Sequence, residues 1–462
     1  MGGAIRDYLL GVSPTDFDIV MWGDPEAAAR HFARETGGSF VILDSEEAIY
    51  RVALRGETYD FCAPKGSDTA TDARNRDFTI NALSVRIWPR TDEAPVSVID
   101  PTGGLEDLAA GIVRVPSPLV LSSDPVRMLR AFRFSATLNF TIDPNTIDEI
   151  RARRSDLLSG ARERIRDEWT KLLDADRAYP VIREMDDAGI LSVMFPEIET
   201  MRGVSQNRFH RFDVWGHSLA CLEEMERLFE TYPDRLGGFD EIIRMYLDRS
   251  LGGGITNGSL LKLTALFHDV GKPDTRNVRE DGEATFYGHE NRGAVIFRSM
   301  CLSLLMGRRS IRMGTSLIRN HMRLLSLSRM DTITPRALGR LIRDVGDDLP
   351  GVVLLGLADT GAGHTDSRRI EHGDTLARKI LEAYSRTLND DDNTPAPLLS
   401  GRDIMEIAGI DQGVLVGILK SELLEAQAAG EITTRGEAQW FVRNKANVLK
   451  HTHERHQESS DG

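Results

Sequence analysis

The sequence has little cysteine and no long hydrophobic run. Its 462 residues include three cysteines, Cys62, Cys221 and Cys301, which lie far apart and form no CxxC motif. We therefore expect neither a disulfide framework nor a cysteine-based zinc site, and a reducing cytoplasm is the expected compartment. No run approaches the roughly 18 apolar residues of a membrane span, and the N-terminal residues lack a signal-peptide pattern.

Positive charge is also in deficit. The chain has 57 Lys and Arg against 71 Asp and Glu, a formal net charge of −14. This balance argues against a uniformly basic surface for nucleic acid, but phosphate can still bind in a local basic groove. With 41% hydrophobic residues the chain can bury several cores, and its length predicts about three domains.

The pattern of residues changes along the chain. Residues 1–115 predict a mixed α/β head, with a helix over 25–36 and short strands over 16–20, 39–43, 50–54, 58–61 and 83–87. From Asp124 onward the apolar residues recur at helical spacing. We predict a helical neck over 116–180 and a helical domain over 181–390. An acidic, proline-containing linker (389–397), a helical tail (391–450) and a disordered end (451–462) complete the predicted organisation.

The first 20 residues combine a glycine pair with two carboxylates. Gly2-Gly3 opens a short helical pattern, and paired glycines let a ligand approach the backbone closely. Asp16 and Asp18 alternate along a predicted strand, so both carboxylates face one side. Such a pair suits magnesium ions that clamp a triphosphate. Viewed alone, the same residues also fit a solvated strand end and an ordinary turn.

Two further segments carry charged and polar residues ahead of apolar helices. Arg76, Asp77 and Asn81 suggest phosphate and sugar contacts, although a capped helix with surface charges explains them equally well. Asp124, Arg127 and Arg130 fall three residues apart on one helix face. An aspartate accepts from an exocyclic amine and an arginine donates to ring acceptors, so this face could read the edge of a base.

The helical body contains a histidine–aspartate constellation. His268-Asp269 ends an apolar helical run, and the other members occur on separate helical runs: His217, His289, His321 and Asp359. A single histidine on such a run is usually a core residue, but this combination favours a divalent metal site with nitrogen and oxygen ligands. Nine arginines and one acid between residues 308 and 343 indicate a surface that contacts phosphates.

Taken in order, the motifs resemble those of the bacterial (class II) tRNA nucleotidyltransferases and their poly(A) polymerase relatives. The segments that carry the resemblance are GG..RD, DFD, RNRDFTINAL, DPTGGLEDL, SDPVRMLRAFRF and ARERIRDEWTKLL. The resemblance extends over nearly the whole chain through LLSGRDIMEIAGIDQGVLVGILK at 398–420. It implies a polymerase-β-like α/β nucleotidyltransferase head followed by a mostly helical body in a multidomain protein.

The resemblance also implies roles for individual residues of the head. Asp16 and Asp18 would hold catalytic Mg²⁺, with Asp60 as a candidate third carboxylate. The nucleotide would be bound by Gly2, Gly3, Arg6, Arg76, Asp77, Asn81, Asp124, Arg127 and Arg130. Within that set Asp124 and Arg127 would select the incoming base. Arg162, Glu163 and Arg166 would brace the base-reading helix.

The body resembles the HD superfamily of metal-dependent phosphohydrolases. By that resemblance the metal ligands would be His217, His268, Asp269 and Asp359, and His289 with His321 could support a second metal. The identity of the divalent metal is open. In related nucleotidyltransferases such a domain is associated with phosphatase or phosphodiesterase activity.

The sequence departs from the family pattern in two places. The family has a hydrophobic strand before the glycine pair, and here Met1 directly precedes Gly2, so we expect the native start to lie upstream. The base-reading motif usually begins with two acids, whereas here Ser123 precedes Asp124.

The leading functional prediction is template-independent addition of CCA to tRNA 3′ ends from CTP and ATP. Only 12 residues, 62–73, separate the predicted strand ending at Phe61 from Arg74, and this short segment favours addition of CC alone. A bacterial poly(A) polymerase is a less favoured alternative, because those chains usually lack an HD region and end in a basic tail. The others are an HD phosphohydrolase with a non-catalytic head and a purely structural RNA-binding protein.

Overall fold

A computed structural model describes residues 1–87, 97–206, 212–330, 333–363, 367–389, 397–428 and 431–458. The chain divides into two units. The first comprises 1–204, 250–260 and 298–311, and the second comprises 205–249, 261–297 and 312–462. The predicted α/β head and mostly helical body are confirmed. The predicted domain boundaries stay predictions, since the two units follow spatial packing and each draws on several chain segments.

A four-stranded sheet organises the head. Its elements in chain order are α1 (Gly3–Leu9), β1 (Asp16–Val20), α2 (Pro25–Thr36), β2 (Ser39–Asp44), β3 (Ile49–Leu54) and β4 (Glu57–Cys62). The strand order is β1-β4-β3-β2, with β1 parallel to β4 and the other pairs antiparallel. The predicted strands at 16–20, 39–43, 50–54 and 58–61 and the helix at 25–36 are confirmed.

Helix α2 covers one face of this sheet. Pro25 occupies its first turn, Asp24 accepts a hydrogen bond from the Ala27 N–H, and Gly37 ends the helix with a φ of 74°. Buried residues of α2 and of the strands form the core between them: Ala29, Ala33, Tyr50, Val52 and Phe61. Because side chains alternate along a strand, Asp16 and Asp18 lie on the opposite face.

The rest of the first unit is built mainly from short helices. Its elements are α3 (Thr69–Arg74), β5 (Ser84–Val85), β6 (Val98–Ile99), α4 (Gly104–Ala110), β7 (Ile112–Val113), α5 (Leu119–Ser123), α6 (Arg127–Leu138), β8 (Thr141–Ile142), α7 (Pro144–Arg153), α8 (Arg162–Leu173), α9 (Tyr179–Asp187), α10 (Ile190–Met194) and α11 (Glu197–Met201). Helices α6 and α8 pack together through buried residues that include Phe132 and Trp169. Of the predicted strand 83–87, only Ser84 and Val85 pair with a neighbour, so this prediction was too long.

Two long helices form the centre of the second unit. After α12 (Val214–Leu236) and α13 (Asp240–Leu247) come β9 (Ser250–Gly252), β10 (Ile255–Thr256), α14 (Asn257–Phe267), α15 (Lys272–Thr275), β11 (Asn277–Val278), β12 (Ala284–Thr285), α16 (His289–Ser303), α17 (Arg308–Asn320), α18 (Met322–Ser328), α19 (Pro335–Val345) and α20 (Leu349–Gly363). Helix α20 is apolar and buried from Leu349 to Ala358, and it packs against α12. Strands β9 and β10 and the segments 257–260 and 298–311 belong to the first unit.

The C-terminal part is helical, with α21 (Ser367–Asn389), α22 (Gly401–Ala408), α23 (Val414–Ala428) and α24 (Arg435–Glu458). A separate apolar cluster that includes Ile404, Leu423 and Val442 holds the last three helices together. The predicted linker at 389–397 lies mostly outside the described residues. The predicted disordered end begins at residue 451, where the backbone is still helical, and residues 459–462 are outside the described part. Among the described residues, no helix is long and apolar enough to span a membrane.

Candidate active site and metal centre

The two aspartates of β1 lie on the sheet face that α2 leaves open. Asp16 is exposed and accepts a hydrogen bond from the Thr58 hydroxyl of the neighbouring strand. Asp18 is half-buried, and burial raises the pKa of its carboxyl. Adjacent carboxylate oxygens on a shared, partly solvated face are the donor set that Mg²⁺ prefers, so these two residues fit the predicted magnesium site.

Gly2 and Arg76 approach the same carboxylate. A Cβ atom at Gly2 would lie 2.5 Å from Asp18 Oδ2 and 3.4 Å from Arg76 Nη1, and the φ of Gly2 is +70°. Only glycine fits there without displacement of the carboxylate. Arg76 is held by Asp72, whose Oδ2 accepts from Arg76 Nε at 3.1 Å. The structure therefore brings a glycine turn, a cation and the carboxylate pair together, as the sequence predicted.

A chain of buried polar contacts joins the other predicted nucleotide-binding residues. Arg6 Nη1 donates to Asn81 Oδ1 at 2.7 Å, and Asn81 Nδ2 donates to Asp77 Oδ1 at 3.1 Å. Arg130 then donates two hydrogen bonds to Asp77 Oδ2, at 2.9 and 2.6 Å, and a third to Glu168 at 3.2 Å. Burial opposes ionisation of Asp77, but the charge and hydrogen bonds of Arg130 outweigh this effect and lower the pKa of Asp77.

These contacts give Arg130 a positioning role. Its guanidinium connects the α6 helix to Asp77 on one side and to Glu168 of α8 on the other. Direct contact of Arg130 with a nucleotide stays a prediction. Glu168, which the sequence analysis missed, also pairs with Arg133. No local pattern indicates this residue, because its partners are 35 and 38 positions away.

The Arg130 pairing predicts a large loss of stability on its removal. Arg130→Met would leave two carboxylates, Asp77 and Glu168, whose side chains are 11% and 8% exposed, without their shared cation. We expect the free energy of unfolding to fall by about 3 kcal/mol, measured by urea denaturation at neutral pH. Arg151→Met, on an exposed pair of α7, is the matched control and should change it by less than about 1 kcal/mol. Equal stability of the two variants would contradict the positioning role.

Asp124 lies in a pocket of about 870 Å³ at the start of α6. The pocket is lined by Lys65, Asn75, Ser122, Ser123, Asp124, Pro125, Arg127, Ser159, Gly160, Ala161 and Arg164. Arg164 donates to both oxygens of Asp124, at 3.1 and 2.6 Å, while Arg127 Nε lies 3.7 Å from the same carboxylate. A pocket with a carboxylate and two guanidinium groups offers both acceptors and donors to a base edge.

The residue of α8 that contacts Asp124 is not one of those predicted to brace the base-reading helix. Arg162 and Arg166 donate instead to the backbone carbonyls of Ser303 and Leu305, at 3.4 and 3.1 Å. Positions 162 and 166 are four apart and share a face of α8, whereas position 164 lies on another face. The same helix therefore contacts residues 303–305 on one face and Asp124 on another. The bracing role of Arg162, Glu163 and Arg166 stays a prediction, and the contact that α8 makes with Asp124 comes from Arg164.

Asp60, the candidate third carboxylate, is already paired. Both of its oxygens accept hydrogen bonds from Arg51, at 2.7 Å each. Asp60 lies opposite Asp18 in the parallel β1–β4 register and opposite Arg51 in the antiparallel β3–β4 register. Its role as a metal ligand stays a prediction.

The six residues of the histidine–aspartate constellation converge within the second unit. They form two groups, and within each group the ligand atoms all lie within 4.8 Å of one another. One group is His217, His268 and Asp359, and the other is Asp269, His289 and His321. His217 Nε2 lies 2.8 Å from Asp359 Oδ1, and His289 Nε2 lies 3.2 Å from His321 Nε2. The structure thus brings together every ligand that the sequence predicted.

Backbone contacts orient the imidazoles toward the centre. The Nδ1 atoms of three histidines lie within hydrogen-bond distance of carbonyl oxygens: His268 with Ala265, His289 with Phe286 and His321 with Ile318, at 2.9, 2.8 and 2.6 Å. With Nδ1–H as the donor, each Nε2 is left as the ring nitrogen available to a metal ion, as metal-binding histidines require. Burial lowers the pKa of His321 to about 3, which keeps that ring neutral.

Asp269 lies between the two groups. Its Oδ2 is 3.2 Å from His268 Nε2 and its Oδ1 is 3.4 Å from His289 Nε2, so one carboxylate faces both groups. Lys272, the first residue of α15, places Nζ 2.5 Å from Asp269 Oδ2 and donates to Gln206 at 2.6 Å. Burial opposes ionisation of Asp269, but His268 and Lys272 hold the pKa of this carboxyl well below its usual range. The donor set fits two divalent cations with a bridging carboxylate.

The arginine-rich stretch 308–343 is partly neutralised. Arg323 pairs with Asp344 at 2.9 Å, and Arg336 lies 4.0 Å from Glu422. Both acids follow the stretch in sequence, so a count within it overstates its charge. Phosphate contact by this surface stays a prediction.

Comparison with known proteins matches three parts of the chain. Residues 1–114 match the "Poly A polymerase head domain", residues 139–201 the "Probable RNA and SrmB- binding site of polymerase A", and residues 214–359 the "HD domain". The first and third are metal-dependent domain families. Residues Gly2 to Asp77 of the site fall in the first match, and the six metal-site residues fall in the third.

Relatives cover nearly the whole chain. An A-adding tRNA nucleotidyltransferase of Deinococcus radiodurans is 33% identical over 96% of this chain and 95% of its own length. A CC-adding tRNA nucleotidyltransferase of Thermus thermophilus is 32% identical over 96% and 92%. A solved CCA-adding enzyme in complex with CTP has the same fold, with a TM-score of 0.65, 20% identity, and coverage of 96% of this chain and 90% of that one. This chain therefore belongs to the family of tRNA nucleotidyltransferases, and it carries an HD domain.

Proposed function

We propose that this chain adds nucleotides to the 3′ end of tRNA from CTP or ATP. The observation that carries the proposal is the convergence of Asp16, Asp18, Gly2 and Arg76 on one open sheet face. Two relatives that match the chain over 96% of its length are named tRNA nucleotidyltransferases. Its three free cysteines fit the cytoplasm, where this reaction would take place.

The residues of the head divide the work of the transfer. Mg²⁺ held by Asp16 and Asp18 would supply charge stabilisation at the α-phosphate. Arg76, next to Asp18, would neutralise the triphosphate, and Gly2 leaves room for a phosphate oxygen beside the backbone. The 3′-hydroxyl of the tRNA attacks the α-phosphate, and pyrophosphate leaves.

The Asp124 pocket would select the base. Cytosine and adenine both present an exocyclic amine beside a ring nitrogen acceptor, whereas uracil and guanine present a carbonyl and a ring N–H. A carboxylate fixed opposite the amine and a guanidinium fixed opposite the ring nitrogen both find partners on these two bases. Uracil or guanine in the same position would place a carbonyl against the carboxylate and an N–H against the guanidinium. Asp124 and Arg127 therefore favour CTP and ATP, with Arg164 fixing the carboxylate.

The short segment between β4 and α3 supports a limit on the number of nucleotides that are added. Lys65 N–H donates to Asp72 at 2.7 Å, and Asn75 donates to the Lys65 carbonyl at 2.6 Å. Lys65 also lines the Asp124 pocket. A short segment tied at both backbone groups of one residue has little freedom to reshape the pocket between CTP and ATP. We propose that the chain adds the two cytidines only.

The expected product on a tRNA that ends at the discriminator base, with CTP and ATP both present, is two nucleotides longer. A third nucleotide, incorporated from ATP, would show full CCA addition. The Deinococcus relative motivates a second substrate, a tRNA that already ends in CC. Extension of that substrate alone, by one adenosine, would contradict CC addition and assign A addition. Long adenosine tracts on any substrate would indicate a poly(A) polymerase.

The HD domain would supply a second activity. We propose a metal-dependent phosphohydrolase or phosphodiesterase centre, with one cation bound by His217, His268 and Asp359 and another by His289, His321 and the shared Asp269. The intact arrangement of the head argues against a protein in which only this centre is active. Two separate sets of metal-binding side chains also argue against a purely structural RNA-binding protein.

A further inference from the structure

One cation on the open face of the head belongs to the sheet itself. The four strands β1 to β4 include one lysine or arginine, Arg51. It belongs to a row of residues that pair across the sheet on the catalytic face, in the order Asp18, Asp60, Arg51 and Val41. With strands about 4.8 Å apart, the backbone of Arg51 lies about 10 Å from that of Asp18.

Much of this face is open to solvent in the described part of the chain. The neighbouring row, Asp16, Thr58, Ala53 and Ser39, contains three exposed residues, and Val41 is 46% exposed. The opposite face is closed by α2, where Val52 is fully buried. An RNA strand whose 3′-hydroxyl reaches Asp16 and Asp18 can therefore lie over the open face, whereas α2 blocks the other one.

The guanidinium of Arg51 has hydrogen bonds to spare. Its Nε and Nη2 each donate to one oxygen of Asp60, and its side chain is still 36% exposed. A guanidinium has five N–H groups, so three remain for another partner. Because Asp60 takes one edge of the planar group, the free edge is fixed in direction, which suits bidentate or bridging contact with a phosphate.

We infer that Arg51 binds a phosphodiester of the incoming RNA strand, close to its 3′ end, and that Asp60 is the positioning residue that orients it. The inference rests on the proposed nucleotide addition and adds a subsite to the same catalytic face. The hydrogen bonds to Asp60 raise the pKa of Arg51 against the opposing effect of burial, and the charges of Asp16 and Asp18 add to the rise, so the group stays charged. The cation offsets the acidic surroundings that the RNA backbone must approach. The triphosphate, by contrast, would be bound by Arg76 and Gly2 next to Asp18.

The test compares the KM for an RNA primer with the KM for CTP. With a tRNA minihelix that lacks its terminal nucleotides, Arg51→Gln should raise the primer KM about tenfold and leave the CTP KM unchanged. Arg51→Lys, which keeps the charge but loses the fork, should recover part of the loss. Arg34→Gln is the matched control. It removes the same charge from an exposed position on α2, the helix that packs against the opposite face of the sheet, and it should change neither KM.

Binding without catalysis provides an independent readout. The slope of log K against log salt for the minihelix should fall in magnitude by about 0.7 in Arg51→Gln and should not change in Arg34→Gln. An unchanged primer KM and slope in Arg51→Gln would overturn the inference, and so would a rise in the CTP KM alone. If the wild-type chain extends no primer, the proposed function fails, while the salt slope still decides whether Arg51 contacts RNA.

Asp60→Asn separates positioning from metal binding. An asparagine keeps the size of the side chain but donates from one atom, so one of the two hydrogen bonds to Arg51 is lost. We expect a primer KM between those of the wild type and Arg51→Gln, with kcat within about threefold of the wild type. A loss of kcat of about 100-fold with an unchanged primer KM would make Asp60 a metal ligand and contradict its positioning role.

Discussion

Asp18→Asn is expected to abolish nucleotide addition while tRNA binding persists. The substitution preserves the shape of the side chain, so Gly2 and Arg76 keep their packing around it. It removes the negative charge that a hard divalent cation requires. Loss of an outer-shell partner of a metal site typically costs 10- to 100-fold, so loss of a direct ligand should lower kcat/KM by at least about 100-fold.

The measurement is incorporation of labelled CTP into tRNA, alongside the tRNA Kd. No cation that could contact phosphate is removed, so the Kd and its salt dependence should match the wild type. Glu35→Gln, an exposed acid of α2 on the covered side of the sheet, is the matched control and should retain full activity. Asp16→Asn should behave as Asp18→Asn does. Wild-type incorporation by either aspartate variant would place the catalytic metals elsewhere.

How much of this site the sequence predicts depends on the distance over which each contact acts. Asp16 and Asp18 follow from the two-residue period of a strand, and the structure places both on one face. The HD ligands follow from a motif whose histidines and aspartates lie on separate apolar helices or directly after them. The strand pair depends on local periodicity, and the HD set depends on the motif.

The Arg51–Asp60 pair was missed although a local signal exists. Arg55 and Gly56 connect β3 and β4 with positive φ angles of 51° and 90°, the conformation of a two-residue hairpin turn. A turn at 55–56 fixes the pairing of 51 with 60. The contact of Lys272 with Asp269 has a local signal too, since only three positions separate the two residues within the turn between α14 and α15.

The contacts of Arg130 and Arg164 could not be predicted in this way. Arg130 reaches Asp77 across 53 residues, and Arg164 reaches Asp124 across 40. The Arg164 pairing depends on how helices α6 and α8 rotate against each other, and the Arg130 pairing depends on how α6 packs against the segment after α3. A resemblance to a family supplies the segment that braces a helix, but the side chain that does so depends on that rotation.

Asp269→Asn is expected to remove the metal centre of the HD domain and to spare nucleotide addition. Asp269 faces both groups of ligands, so the loss of its charge weakens both cations. Bound divalent metal, measured by elemental analysis after dialysis, should fall by more than half. Hydrolysis of a phosphodiester such as bis(p-nitrophenyl) phosphate should fall by at least about 100-fold. Asp281→Asn, at an exposed turn of the same unit, should change neither quantity.

Loss of metal tests the ligand set of the HD domain, and retained nucleotide addition tests whether the two centres act independently. His321→Gln removes a ligand from only one of the two groups, so it should release about half as much metal as Asp269→Asn does. Because Asp269 belongs to the second unit and Asp16 and Asp18 to the first, CTP incorporation should stay within about twofold of the wild type in both variants. A collapse of incorporation in a variant whose Tm matches the wild type would show that the two centres depend on each other. Retained metal and hydrolysis in Asp269→Asn would instead remove this carboxylate from the ligand set.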